Sequence, residues 1–114
     1  MKKILCLILI LAAACNPKGS SDPAAQSNPE SDLIAKGKLS YVSNCMACHN
    51  QNPKINGALG PAVYGSSLEL LQARIVKGEY PSGYTAKRNT KQMAAMPHLE
   101  KDIPALHKYL NSEL

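Results

Sequence analysis

The chain has 114 residues, 13 Lys and Arg against 8 Asp and Glu, five Tyr, no Trp and no Phe. That length holds one small domain, and a formal charge of +5 without interleaved aromatics excludes a nucleic-acid surface. Two of the four cysteines, Cys6 and Cys15, fall in or at the edge of an N-terminal leader, so the remaining pair cannot build a disulfide framework.

Met1-Lys2-Lys3 followed by the apolar run from Ile4 to Ala14 reads as an export signal over residues 1–14. As a helix, eleven apolar residues reach about 16 Å, well short of the roughly 30 Å that a bilayer core requires. Leu11-Ala12-Ala13-Ala14-Cys15 resembles a lipoprotein processing site, with Ala12 where such sites usually carry Leu. Cleavage before Cys15 would make that residue the acylated N-terminus, and Ala12-x-Ala14 would equally suit an ordinary signal peptidase. With Lys2 and Lys3 gone, eleven Lys and Arg against eight Asp and Glu leave a charge of +3, enough to help steer docking to an acidic face.

Residues 15–31 are rich in Pro, Ser and Ala without an apolar period, which predicts a flexible tether. Its reach as a random coil is about 20–24 Å, sufficient to hold a domain just off a membrane. The folding unit is therefore expected over 32–114, a size at which a core is marginal without a staple.

From Ser31 onward, Ile34, Gly37, Tyr41, Cys45 and Cys48 recur at spacings of three and four, predicting a first helix capped by Ser31 or Asp32. Gly37 costs about 1 kcal/mol in a helix interior, which points to a close helix crossing there. Asn52-Pro53, Asn56-Gly57 and Gly60-Pro61 mark the segment 50–65 as a loop. Ser66 or Ser67 caps a second helix with the stripe Leu68, Leu71, Ile75, stopped at Lys77-Gly78. A polar stretch to Gln92 carries Lys87, Arg88 and Lys91, either a docking patch or a solvated basic loop, and Met93-Ala94-Ala95-Met96-Pro97 follows. The last helix is expected from about Glu100 to Ser112 behind the stripe Leu99, Ile103, Leu106, Leu110, with Pro104 in its first turn. No strand and no internal repeat is predicted.

Cys45-Met46-Ala47-Cys48-His49 is the stretch that carries chemistry. Two thiols about one helical turn apart can each add to a vinyl group on the same edge of a porphyrin, while His49 turns its ring to the iron. A haem would also fill a core in which aromatics are scarce. Two rivals stand beside this reading. A structural zinc site would want a second close ligand pair, and neither His98 nor His107 lies beside a cysteine. A thiol–disulfide motif would want a βαβ setting, whereas the patterns here are helical.

Across Asp32 to Leu114 the sequence resembles the class I c-type cytochromes. The residues that carry the resemblance are Cys45-x-x-Cys48-His49, Gly60-Pro61, Met96-Pro97 and the Tyr109-Leu110 pair. It implies an all-α, cytochrome c-like fold of three to four helices around one covalently attached haem c. It further implies that His49 is the proximal ligand, that the Pro61 carbonyl accepts from its other ring nitrogen, and that Met96 is the distal ligand. Met93 is the competing methionine, with His98 or an open position behind it, and His107 reads as a surface residue. The first helix would cross the last at Gly37 against Tyr109. Asn50 stands where the family commonly has Gly, and the left-handed conformation that Asn tolerates is expected there. Arg74, Arg88, Tyr64 and Tyr84 are candidates to pair with haem propionates, each with an ordinary surface role as the alternative.

The function expected from all this is single-electron transfer by an exported, monomeric, lipid-anchored protein on the periplasmic side of a membrane, exchanging electrons with redox protein partners. The alternatives are a haem subunit of a larger oxidoreductase, a haem with a labile distal ligand acting on peroxide or small ligands, and a zinc-stabilised binding module.

Overall fold

A computed structural model describes residues 28–114. The export signal, the Cys15 lipidation site and most of the 15–31 tether lie outside the described residues.

The first helix, α1 (Pro29–Asn44), begins earlier than the sequence suggests. Asn28, rather than Ser31 or Asp32, is the cap: its Oδ1 accepts the Glu30 N–H at 3.0 Å. Pro29 then takes the first helical position, where its fixed φ suits the helix and its missing N–H loses nothing. Glu30 and Asp32 in the first turn complement the positive end of the helix dipole. Residues 29–31, which by composition read as part of the tether, therefore belong to the helix, since Pro also starts helices.

Cys45 ends α1 as its C-cap, and the single turn α2 (Met46–His49) follows at once. After the loop, Ser67 caps α3 (Leu68–Leu71) by accepting the Leu70 N–H at 3.2 Å. The helix then widens into a π-helical turn, Gln72–Lys77, which Gly78 terminates in the left-handed conformation at φ 73°. The periodicity of Leu71 and Ile75 gives no warning of this widening. The last helical region is also compound. A 3-10 segment, Pro97–Asp102, precedes α4 (Ile103–Leu110), so the expected helix from Glu100 is α-helical only from Ile103, with Pro104 in its first turn. No strand occurs among the described residues, and none of their helices is long and apolar enough to cross a membrane.

The core joins Tyr41 of α1, Leu71 and Ile75 of the second helical region, and Leu99, Ile103, Leu106, Tyr109 and Leu110 of the third. Its framework is the crossing of α1 over α4. Gly37 makes that crossing possible, because a Cβ there would run into the Ala105 carbonyl and the Tyr109 Cβ. One turn on, the Tyr41 and Tyr109 rings pack at 5.6 Å with a tilt of 50°, within the favourable range for aromatic pairs. On the surface, Lys108–Glu30 at 3.0 Å bridges the same two helices and Lys36–Asp102 at 3.3 Å joins α1 to the residue that caps α4, each contributing about 0–1 kcal/mol. Apolar contact at the crossing therefore dominates. Gly37→Ala should lower the stability of the haem-loaded protein by about 1–3 kcal/mol despite the gain in helix propensity, read as a lower guanidinium midpoint.

Candidate functional site

The end of α1 and the turn α2 fix Cys45, Cys48 and His49 on the wall of one cavity. Cys45 is half-buried and packs against the core, while Cys48 is exposed. His49 is buried, and its Nδ1 lies 2.8 Å from the Pro61 carbonyl oxygen. A carbonyl can only accept, so Nδ1 carries the proton and Nε2 keeps its lone pair. The hydrogen bond that the family resemblance implies is therefore present.

The loop that brings Pro61 to the ring is built around two close approaches. A Cβ at Gly60 would sit 2.5 Å from the His49 Cε1 and Nδ1, and one at Gly57 would run into the Cys48 carbonyl. The Gly57 N–H donates to the Gly60 carbonyl at 2.9 Å, and the Gly60 N–H to the Cys48 carbonyl at 2.8 Å. The Asn56 side chain accepts the Ala62 N–H at 2.8 Å. Read as sequence, these glycines are turn signals; the steric need for them arises only when the loop folds back on the motif.

Asn50 corrects one expectation. Its φ is positive, 81°, but its ψ of 151° lies outside the left-handed helical region, in territory that suits glycine. Such a conformation costs about 1–3 kcal/mol and must be held from outside. Tyr41 donates its hydroxyl to the Asn50 carbonyl at 2.7 Å, and the Asn50 side chain accepts the Asn52 N–H at 3.0 Å.

Burial pushes the Tyr41 hydroxyl up to about 12, with smaller contributions from Cys45 and Tyr109. Burial also raises Tyr109. Burial, then Cys48, pushes the Cys45 thiol up to about 11. The βαβ setting that a thiol–disulfide motif would want does not occur among the described residues, which form helices only. The zinc reading also lacks support, for among the described residues no three His, Cys, Asp or Glu come together to hold a metal ion.

The same cavity carries both candidate methionines. Met93 and Met96 line the cavity and pack against the core. Their backbones are held differently. The amides of Gly78 and Glu79 both return to the Ala73 carbonyl, so the Ile75 carbonyl is released to accept the Met96 N–H at 2.6 Å. Met96 is also the cap of the 3-10 segment, its carbonyl accepting the Leu99 N–H at 3.0 Å. Met93 is held only through its carbonyl, which accepts from the Arg74 guanidinium at 3.4 Å. The same guanidinium bonds the Gly78 carbonyl and lies 4.4 Å over the Tyr80 ring.

The cavity has a volume of about 280 Å³, and Leu59, Val63, Leu70, Leu71, Ile75 and Leu106 supply much of its apolar lining. Arg74, Tyr84 and Arg88 line it as well. Tyr64 does not, and its ring instead lies beneath Lys54 at 4.7 Å. His98 is exposed and outside the lining, as is Lys91. Two thiols, an imidazole with one nitrogen free, two thioethers and apolar walls on a single cavity fit a haem in chemistry and in polarity.

Those features define an all-α domain built to carry a covalently held haem. The family model for cytochrome c matches residues 34–113, and the chain belongs to that family. Cytochrome c domains bind haem c covalently, and Cys45-Met46-Ala47-Cys48-His49 fits their attachment motif. The chain is thus an electron-transfer haem protein. No curated protein matches the sequence.

The Tyr41 shift sets a pH dependence. An unfolded tyrosine ionises near 10 and the folded one near 12, so its contribution is complete below pH 10 and is lost as pH rises through about 12. The thermal midpoint should stay level from neutral pH to about 10 and then fall, and Tyr41→Phe should remove that component. The same substitution leaves the Asn50 carbonyl without its donor, at a cost of about 1–3 kcal/mol at neutral pH.

Proposed function

We propose that the protein is a single-electron carrier with one haem c joined to Cys45 and Cys48, its iron held between His49 and Met96. The observation that carries this reading is the hydrogen bond from His49 Nδ1 to the Pro61 carbonyl, which leaves Nε2 as the only ring nitrogen free for a metal. Bound there, the haem supplies a redox couple that gains or loses one electron without a substrate. The chain's own residues do the rest. The Pro61 carbonyl orients the imidazole and raises its basicity. Met96 contributes a neutral, soft thioether that favours the reduced state. Leu71, Ile75 and Leu106, buried on the cavity wall, would keep water from the haem, and ligation by both His49 and Met96 would disfavour chemistry on oxygen or peroxide.

Met93 is the second reading for the distal ligand, because it lines the same cavity. Visible absorption of the haem-loaded protein separates the two. Met96→Ala should abolish the weak far-red band of Met-ligated ferric haem and lower the potential, while Met93→Ala should leave the band in place. The reverse pattern would make Met93 the ligand. A high-spin wild-type spectrum that responds to carbon monoxide or cyanide would instead favour chemistry on small ligands.

The carrier is exported and held by lipid on Cys15 at the periplasmic side of a membrane, where it exchanges electrons with protein partners, either freely or as a haem subunit of a larger oxidoreductase. What supports this is the leader with its cysteine at the cut and the Pro- and Ser-rich stretch behind it. Cys15→Ser should move the protein from the membrane to the soluble fraction; continued membrane association would point to a partner rather than to lipid.

A further inference from the structure

We propose that Arg88, assisted by Lys87, is a positioning residue for the proximal ligand: it clamps the loop that orients His49. Arg88 reaches across 31 residues of sequence to donate to the Gly57 carbonyl at 3.1 Å, and to the Ala58 carbonyl at 3.4 Å. Lys87 donates to the Ala62 carbonyl at 2.8 Å. Two successive basic residues of the segment leading to the methionines thus grip both ends of the 57–62 loop.

The loop is short, and its internal bonds lead directly to the motif. From Gly57, which Arg88 holds by the carbonyl, the N–H runs to the Gly60 carbonyl at 2.9 Å, and from Gly60 the N–H runs to the Cys48 carbonyl at 2.8 Å. Pro61, the next residue, holds His49 Nδ1 at 2.8 Å. A guanidinium is suited to the task because its fixed fork can meet two neighbouring carbonyls at once, and a hydrogen bond with a charged donor is stronger than a neutral one. Arg88 is half-buried on the cavity wall, so water competes for these bonds less than at an open surface. The geometry also separates this role from a bare electrostatic one. Arg88 acts on His49 through the backbone, with a donor from each of its terminal nitrogens placed on a carbonyl of the loop.

The inference rests on His49 being the axial ligand, and the visible spectrum of the same samples tests that premise separately. Without His49 ligation, the wild type itself would lack a low-spin spectrum. The test of the clamp is hydrogen exchange followed by NMR in the haem-loaded protein, wild type against Arg88→Gln and Arg88→Lys. In Arg88→Gln the Gly57 and Gly60 amides and the His49 Nδ1 proton should exchange about tenfold faster or more, while the amides of Leu106 and Tyr109 in α4 keep their wild-type rates. Arg88→Lys, which keeps the charge but loses the fork, should recover part of that protection. Wild-type exchange at the loop together with a fall in the potential would assign Arg88 to the haem propionates and overturn the proposal. Faster exchange spread evenly over α4 would overturn it too, by reducing Arg88 to a general contributor to stability.

Discussion

Everything on the proximal side depends on how one imidazole is held. A histidine has two ring nitrogens, and a metal ligand is useful only if its free nitrogen faces the metal in a fixed tautomer. Here the fixing group is a backbone carbonyl, that of Pro61, a residue without an N–H of its own. For this carbonyl to lie beside the ring, the loop must pass close over the motif, and that demand propagates outward. It excludes a side chain at Gly60, excludes one at Gly57, and forces the chain leaving the motif through the unusual backbone of Asn50. Tyr41, buried at the helix crossing, secures Asn50 through its hydroxyl. The α1–α4 crossing is thereby linked to His49 by one hydrogen bond and one strained residue.

The two walls of the cavity are constructed on different principles. The proximal wall is defined by backbone hydrogen bonds within a short loop. The distal wall is the end of a helix whose last turn is wound too wide, with the methionine segment attached to the carbonyl thus released. Basic side chains bond main-chain carbonyls on both: Arg74, within the widened turn, bonds the Met93 carbonyl, while Lys87 and Arg88, in the later loop, bond carbonyls of the 57–62 loop. Lys87 and Arg88 thus tie the segment that leads to the methionines to the loop beside His49.

Much of this was legible in the sequence. Helical periodicity located the stripes that form the core, Ser67 and Gly78 bounded the second helix as expected, and Gly37 announced the crossing. The attachment motif and the two later dipeptides were visible because each concentrates a chemical function in two to five adjacent residues. What escaped was anything that depends on residues meeting across a long separation. Lys87 and Arg88 read as a charged loop because their acceptors are main-chain carbonyls, which every residue offers and no residue type marks. The ψ of Asn50 is set by the loop folding back on it and not by its own preference. The start of α1 was misplaced because Asn28-Pro29 belongs by composition to the tether and by conformation to the helix.

The widened turn at Gln72–Lys77 has a further consequence for how this domain can vary. Because the Met96 amide is satisfied by the carbonyl of Ile75 in particular, the register of the turn matters as much as its composition. Inserting or deleting one residue there would turn the Ile75 carbonyl about the helix axis and present a different acceptor to the methionine segment. The loop beyond, from Glu79 to Ala95, carries no such phase requirement over most of its length. Changes in chain length should therefore accumulate in that loop and be absent from the turn, so that size variation in this domain collects on one side of Met96.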